Sequence, residues 1–297
     1  VRSSAASDVY KRQILIFLLI LLNFSTVCAD DVDNEGEFEN TVEVTASSVT
    51  ALPKTNSRRY IVYDRISKSM IIGKNEDVKS AMASTTKIMT TIVILEKSDL
   101  DETVTVSAKA GGTGGSRLGL KRGDKASVKD LLYGLMLRSG NDAAVALAEH
   151  VGGSVKEFAE LMNEKAIELG LTNTHFVTPH GLDDANHYTT ALELAKLTDY
   201  AMDNETFAKI VGTKSTTIYI NNQPRQINNT NELLGVLNGV VGVKTGFTNN
   251  AGRCLVTETK RNNMDIITIV LGADTKKDRT KDSVNLIEYL SLIHISE

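Results

Sequence analysis

The stretch "ASTTKIMTTIVILEK" (83–97) decides how this chain is read. Ile88, Met89, Ile92, Val93, Ile94 and Leu95 leave a helix here little polar surface to show to water, and such helices are buried. Yet the segment opens on a hydroxyl, Ser84, and carries a lysine, Lys87, one turn further in. Residues three apart on a helix are neighbours on one face. Free backbone N–H groups at a helix N-terminus favour developing negative charge. An amine held in apolar surroundings loses its proton more readily than a solvated one. A neutral amine beside a hydroxyl is a nucleophile with its base. The same spacing also arises from an N-capping serine and a snorkelling lysine, so this motif alone does not fix the chemistry.

Two further motifs change the balance. Ser139-Gly140-Asn141 falls at a corner between two helical segments, in "LRSGNDAAV". Lys244-Thr245-Gly246 ends an apolar extended run, "GVVGVKTGFTNNAG". S-x-x-K, S-x-N and K-T-G therefore occur in this order, with 55 and 105 residues between their first members. This combination is already known as the motif set of class A β-lactamases and penicillin-binding proteins.

Outward from these motifs the chain reads as mixed α and β without internal repeats. "RYIVYDRI" (59–66) and "SMIIGKN" (69–75) alternate as paired strands around a short turn. Helical periodicity runs over 84–97, 127–137, 141–151, 154–170 and 190–203, the fourth of these opening on a Ser cap and stopping at Gly170. Beyond that the chain turns extended through "TTIYINN" and "VVGVKTGFT". "GRCLVTETK" and "MDIITIVLGA" form a hairpin across "RNN", and "KDSVNLIEY" (281–289) is a final helix. Strands at both ends with helices between predict one sheet completed by the two termini, with a helical insert.

Residues 57–289 resemble the serine D-alanyl-D-alanine carboxypeptidases, the low-molecular-mass penicillin-binding proteins. Besides the three motifs, "LMLRSGNDAAVALAEHVGGS", "FAELMNEKAIELGLTNTHFVTPHGLDDANHYTTA" and "VGVKTGFTNNAGRCLV" carry the resemblance. It implies an α+β, β-lactamase/transpeptidase-like fold: a mainly antiparallel sheet flanked by helices, a helical subdomain, and the active site in the groove between them. It implies Ser84 as acylated nucleophile, Lys87 as its base, Ser139 as proton relay and Asn141 as holder of the substrate amide. Lys244 and Thr245 would bind the terminal carboxylate of the substrate, and the N–H groups of Ser84 and Phe247 would form the oxyanion hole. The expected reaction removes the terminal D-Ala from peptidoglycan stem peptides, with β-lactam antibiotics as inhibitors and no metal or cofactor. These roles suit the residue types: a cation and a hydroxyl on a strand fit a carboxylate, and Gly246 lets a substrate backbone approach the strand.

Other features are weighed against this. A Ser/His/Asp triad on His180 or His187 with Asp183 lacks a G-x-S-x-G elbow to present its serine. Those histidines, with His150 and His175, are read as structural. "GGTGGSRLGLKRGD" (111–124) lacks the G-K-[ST] of a phosphate loop and is expected to border substrate access. A class A β-lactamase is the nearest rival, but it needs a glutamate that activates the deacylating water. Glu157 and Glu160 belong to an ordinary amphipathic helix. A non-catalytic wall-binding protein would not need all three motifs. Cys254 is read as a buried strand residue. Arg253 and Arg279 both stand as candidates for the carboxylate-binding arginine.

The ends are read apart from the rest. "DVYKRQ" (8–13) and "LSLIHI" (290–295) can be encoded by complementary strands of one string, so 1–13 and 290–297 are expected to be sequencing-adapter read-through. "ILIFLLILLNFSTVCA" (14–29) reads as a signal peptide cleaved after Ala29, short for a membrane span of about 20 apolar residues. Seven acidic residues and no basic one between 30 and 43 mark 30–52 as a solvated linker, leaving 53–289 as the catalytic domain. The net charge of -4 shows no basic excess, so nucleic acid is not an expected partner. Export to the outer face of a bacterial membrane is expected. Peripheral membrane attachment is implied only by the resemblance.

Overall fold

The computed structural model describes residues 52–261 and 263–295, with side chains up to Ser291. The readings of 1–13 as adapter, 14–29 as leader and most of 30–52 as linker lie outside the described residues. β1 (Arg59–Asp64) and β2 (Ser69–Lys74) come from one end of the chain, and β7 (Val240–Thr248), β8 (Gly252–Arg261) and β9 (Met264–Ala273) from the other. They join in the order β2-β1-β9-β8-β7, each pair antiparallel. The expected sheet completed by both ends is therefore present.

Both faces of this sheet are covered. Ile61, Tyr63, Val256, Ile267 and Ile269 pack with α1 (Lys87–Lys97) and the other helices of the insert. Tyr60, Val62, Ile266 and Val270 face Leu286 and Leu290 of α8 (Lys276–Ile295) on the opposite side. That double burial explains why β9 reads as a continuous apolar run and not as an alternation. Residues Thr85–Ile94 are all buried, as the opening stretch predicted.

Between β2 and β7 the insert holds α2 (Ala108–Gly111), α3 (Val128–Leu137), α4 (Asn141–Gly152), α5 (Val155–Glu168), α6 (Ala191–Met202) and α7 (Glu205–Val211). Ser127, Ser154 and Thr190 cap α3, α5 and α6 by accepting the N–H of Asp130, Glu157 and Glu193 at 3.0, 3.1 and 3.1 Å. Two short hairpins, β3 (Thr103–Thr105) with β4 (Lys125–Ser127) and β5 (Ser215–Ile220) with β6 (Gln223–Asn228), complete it. The sequence pattern missed β6, "QPRQIN", because it is mostly polar. Its turn is fixed by Asn221 and Asn222, both at positive φ.

Two boundaries differ from expectation. Ser84 lies in a 3₁₀ turn, Ala83–Thr86, that precedes α1 and is not part of the α-helix itself. The final helix begins at Lys276, where Thr275 Oγ1 accepts the Asp278 N–H at 3.0 Å, and runs to Ile295. Leu290, read above as foreign sequence, is 2% exposed and packs under the sheet. Among the described residues no helix is long and apolar enough to cross a membrane.

Candidate active site

From Ala83 to Ile94 every residue is buried except Ser84, whose side chain stands partly open. The 3₁₀ turn makes this possible, since it rotates Ser84 away from the face that α1 buries. Lys87 is fully buried and does not snorkel. Its Nζ donates to Ser84 Oγ at 2.8 Å, Asn141 Oδ1 at 2.7 Å and the His180 carbonyl at 2.9 Å. Ser84 does not occupy a cap position: Met82 precedes the 3₁₀ turn and Thr86 precedes α1. The capping and snorkelling reading of S-x-x-K is thus excluded, and the nucleophile–base geometry is present.

Ser139 and Asn141 sit where the sequence placed them, at the α3–α4 corner. Ser139 takes φ 60°, a strained left-handed position for a serine, and this turns its hydroxyl toward β7. Lys244 Nζ donates to Ser139 Oγ at 3.1 Å and to the Thr245 carbonyl at 2.9 Å. β7 is an edge strand, so alternate backbone groups along it are free of sheet pairing. A Cβ on Gly246 would lie 3.1 Å from the Ser84 nitrogen and 3.3 Å from the Thr85 nitrogen. The strand therefore approaches the Ser84 turn as closely as a glycine allows, and Phe247 is the next residue along it. Thr245 Oγ1 is 2.8 Å from Thr230 Oγ1, a partner that the motifs did not reveal.

Two loops enclose this cluster. In the 111–124 loop, the Gly114 carbonyl accepts Asn141 Nδ2 at 2.8 Å and the Ser116 carbonyl accepts the Asn141 N–H at 2.8 Å. Buried Asp142 accepts the N–H groups of Leu118, Gly119 and Leu120 at 2.8–2.9 Å. The loop borders the site, as expected, and Asp142 is its anchor. Opposite lies the 178–187 segment. His187 Nδ1 accepts the Val177 N–H at 2.9 Å, which leaves the ring proton on Nε2 to reach Thr86 Oγ1 at 2.7 Å. Thr86 in turn donates to the Ala83 carbonyl at 2.8 Å. Burial holds His187 down to about 4 and His180 down to about 3. Both rings are neutral braces, and Asp183 instead accepts from Thr248 Oγ1 at 2.6 Å.

The remaining candidates fall elsewhere. The Arg253 guanidinium lies over the Phe247 ring at 3.9 Å, next to the K-T-G motif. Arg279 is buried within α8 near Glu232. Cys254 is buried in β8. Glu157 and Glu160 are exposed on α5, Glu160 4.0 Å from Lys156, as an amphipathic helix requires. Among the described residues no group of His, Cys, Asp and Glu could hold a metal ion.

Comparison with known proteins finds D-alanyl-D-alanine carboxypeptidases and a DD-transpeptidase. The chain is 37% identical over 235 residues to the D-alanyl-D-alanine carboxypeptidase DacF of Bacillus subtilis, covering 77% of this chain and 60% of that protein. It is 38% identical over 268 residues to DacC of Escherichia coli, covering 82% and 63%. The chain thus spans about 60% of the length of these relatives. The crystal structure of a Streptomyces DD-transpeptidase superposes with a TM-score of 0.76 at 34% identity, over 81% of this chain and 98% of that one. The D-alanyl-D-alanine carboxypeptidase DacD of Francisella tularensis gives 0.74 at 30% identity, over 85% and 75%. A family model described as D-alanyl-D-alanine carboxypeptidase matches residues 44–275, and the chain belongs to that family.

Proposed function

We propose that this chain is a serine D-alanyl-D-alanine carboxypeptidase that releases the terminal D-Ala of peptidoglycan stem peptides through an acyl-enzyme on Ser84. The observation that carries the reading is the buried Lys87 Nζ, 2.8 Å from the one open hydroxyl of the segment. Lys87 in its neutral form takes the Ser84 proton as Oγ attacks the penultimate D-Ala carbonyl. Charge collecting on the carbonyl oxygen meets the N–H groups of Ser84 and Phe247, and one such donor is worth roughly 10²–10³ in rate. The amide bond then breaks. The leaving amine takes a proton relayed by Ser139, which is replenished by the proton that Lys87 took from Ser84, while Lys244 stays charged 3.1 Å from the Ser139 hydroxyl. Lys244 and Thr245 receive the terminal carboxylate. Water finally hydrolyses the ester and returns the proton to Ser84.

The same site would be acylated by penicillins, whose carboxylate takes the place of the peptide's. The proposed setting is the outer face of a bacterial membrane. The test is D-alanine release from a D-Ala-D-Ala peptide by residues 30–297, beside Ser84→Ala. Release by the parent chain alone supports the reading. No release by a folded sample that binds the peptide would turn it toward a non-catalytic wall-binding protein.

A further inference from the structure

Arg117, Arg138 and Arg225 line one cleft of about 380 Å³, with Leu118, Gly119 and Asn228. Its walls are the segments that build the site. Leu118 and Gly119 hang on Asp142. Arg138 directly precedes Ser139. The strand carrying Arg225 and Asn228 leads into Thr230, which donates its N–H to the Leu137 carbonyl and meets Thr245 through its hydroxyl. The cleft thus lies one residue along the chain from Ser139 and two from Thr230, the partner of Thr245. Arg225 donates to the Leu118 carbonyl and Arg117 to the Gly111 carbonyl, each through one nitrogen of a five-donor guanidinium. Three such groups in one cleft stand out in a chain whose net charge is -4.

We propose that this cleft is an outer carboxylate subsite: it draws the substrate's terminal carboxylate to the groove and passes it to Lys244 and Thr245. The proposal rests on the reading of Ser84 as nucleophile and of Lys244 with Thr245 as the inner carboxylate seat. A carboxylate approaching a net-negative protein gains from a local field of the opposite sign, and such clefts raise association rates by roughly 10–10³. Lys244 is buried, so its attraction is screened little by salt. The arginines at the surface are screened strongly. Ionic strength therefore separates the two.

The experiment measures the second-order acylation constant with benzylpenicillin, and kcat and KM for a D-Ala-D-Ala peptide, at about 20 and about 500 mM salt. Three proteins are compared: the parent chain, Arg117→Gln/Arg225→Gln, and Arg117→Lys/Arg225→Lys. The parent constant is expected to fall about tenfold with salt. The glutamine pair is expected to start about tenfold lower and stay nearly flat, with kcat within about twofold, while the lysine pair keeps the salt response. Equal losses at both salt concentrations, or in both pairs, would mean that the arginines only tether loop carbonyls, and would overturn the proposal. An adduct that forms at a salt-independent rate in the parent overturns the cleft's role alone. No adduct at all overturns the reading of Ser84 and the cleft's role with it.

Discussion

At the scale of residues, the site depends on how one amine is held. Lys87 has three acceptors within 2.9 Å, and two of them, Asn141 and the His180 carbonyl, lie 54 and 93 residues away in the chain. Replacing it by methionine keeps the volume and the burial but removes the proposed base. Lys87→Met is expected to fold normally and to lower the acylation rate by about 10²–10⁴, read by stopped-flow with a reporter β-lactam. A fall of less than tenfold would transfer the base role elsewhere. That the three motifs around Ser84, Ser139 and Lys244 would come together was legible because each is local and chemically specific. The His180 carbonyl, Thr230 and Asp142 were not. A carbonyl has no residue signature, and a threonine or aspartate gains its meaning only from a partner that folding brings to it.

At the scale of elements, the 178–187 segment braces the turn that carries Ser84. Gly181 takes φ +86°, and a Cβ there would fall 1.8 Å from the Ala83 carbonyl oxygen. Gly181→Ala is expected to cost about 4 kcal/mol or more, measured by urea unfolding, because strain and backbone overlap act together. A loss below about 1 kcal/mol would show that the segment moves freely. The same brace sets an acid limit. His187 is neutral when folded, with its pKa lowered to about 4 from 6.5, so the unfolded chain binds more protons between these values. Its contribution is complete above pH 6.5 and is lost as pH falls toward 4. His180, lowered to about 3, extends the loss further. Melting temperature is therefore expected to drop steeply below pH 6, and less steeply in His187→Gln. Equal slopes in the two proteins would contradict the assignment. Caps and helix starts were readable here, while the 3₁₀ turn at Ser84 was not, since no residue in "ASTT" demands it.

At the scale of the whole molecule, distant parts of the chain are tied by a charge network centred on buried Arg65 and Glu258. Arg65, just after β1, donates to Asp199 at 2.9 Å, Asp203 at 2.5 Å and Glu258 at 2.5 Å. Lys260 adds a contact to Glu258 at 3.1 Å. Burial raises the Glu258 carboxyl, and the neighbouring Lys260 and Arg65 hold it back. Arg65→Met leaves that carboxylate with one cation fewer and is expected to cost about 3–5 kcal/mol in urea unfolding. Arg65→Met/Glu258→Gln is expected to recover part of the loss, and no recovery would mean that packing, not charge, is what Arg65 provides. Nothing in the sequence pointed to this network, whose members are spread from residue 65 to 260. The sheet completed by both termini was legible, because apolar strands flank a helical middle.

The most direct test of the acyl-enzyme is intact mass over time after adding benzylpenicillin to residues 30–297, beside Ser84→Ala. The account predicts an adduct of one equivalent that persists for many minutes and is absent from the variant, since Glu157 and Glu160 are placed on the exposed face of α5 and not as a deacylating base. An adduct that persists in Ser84→Ala, or one that clears at once with release of hydrolysed penicillin, would contradict it.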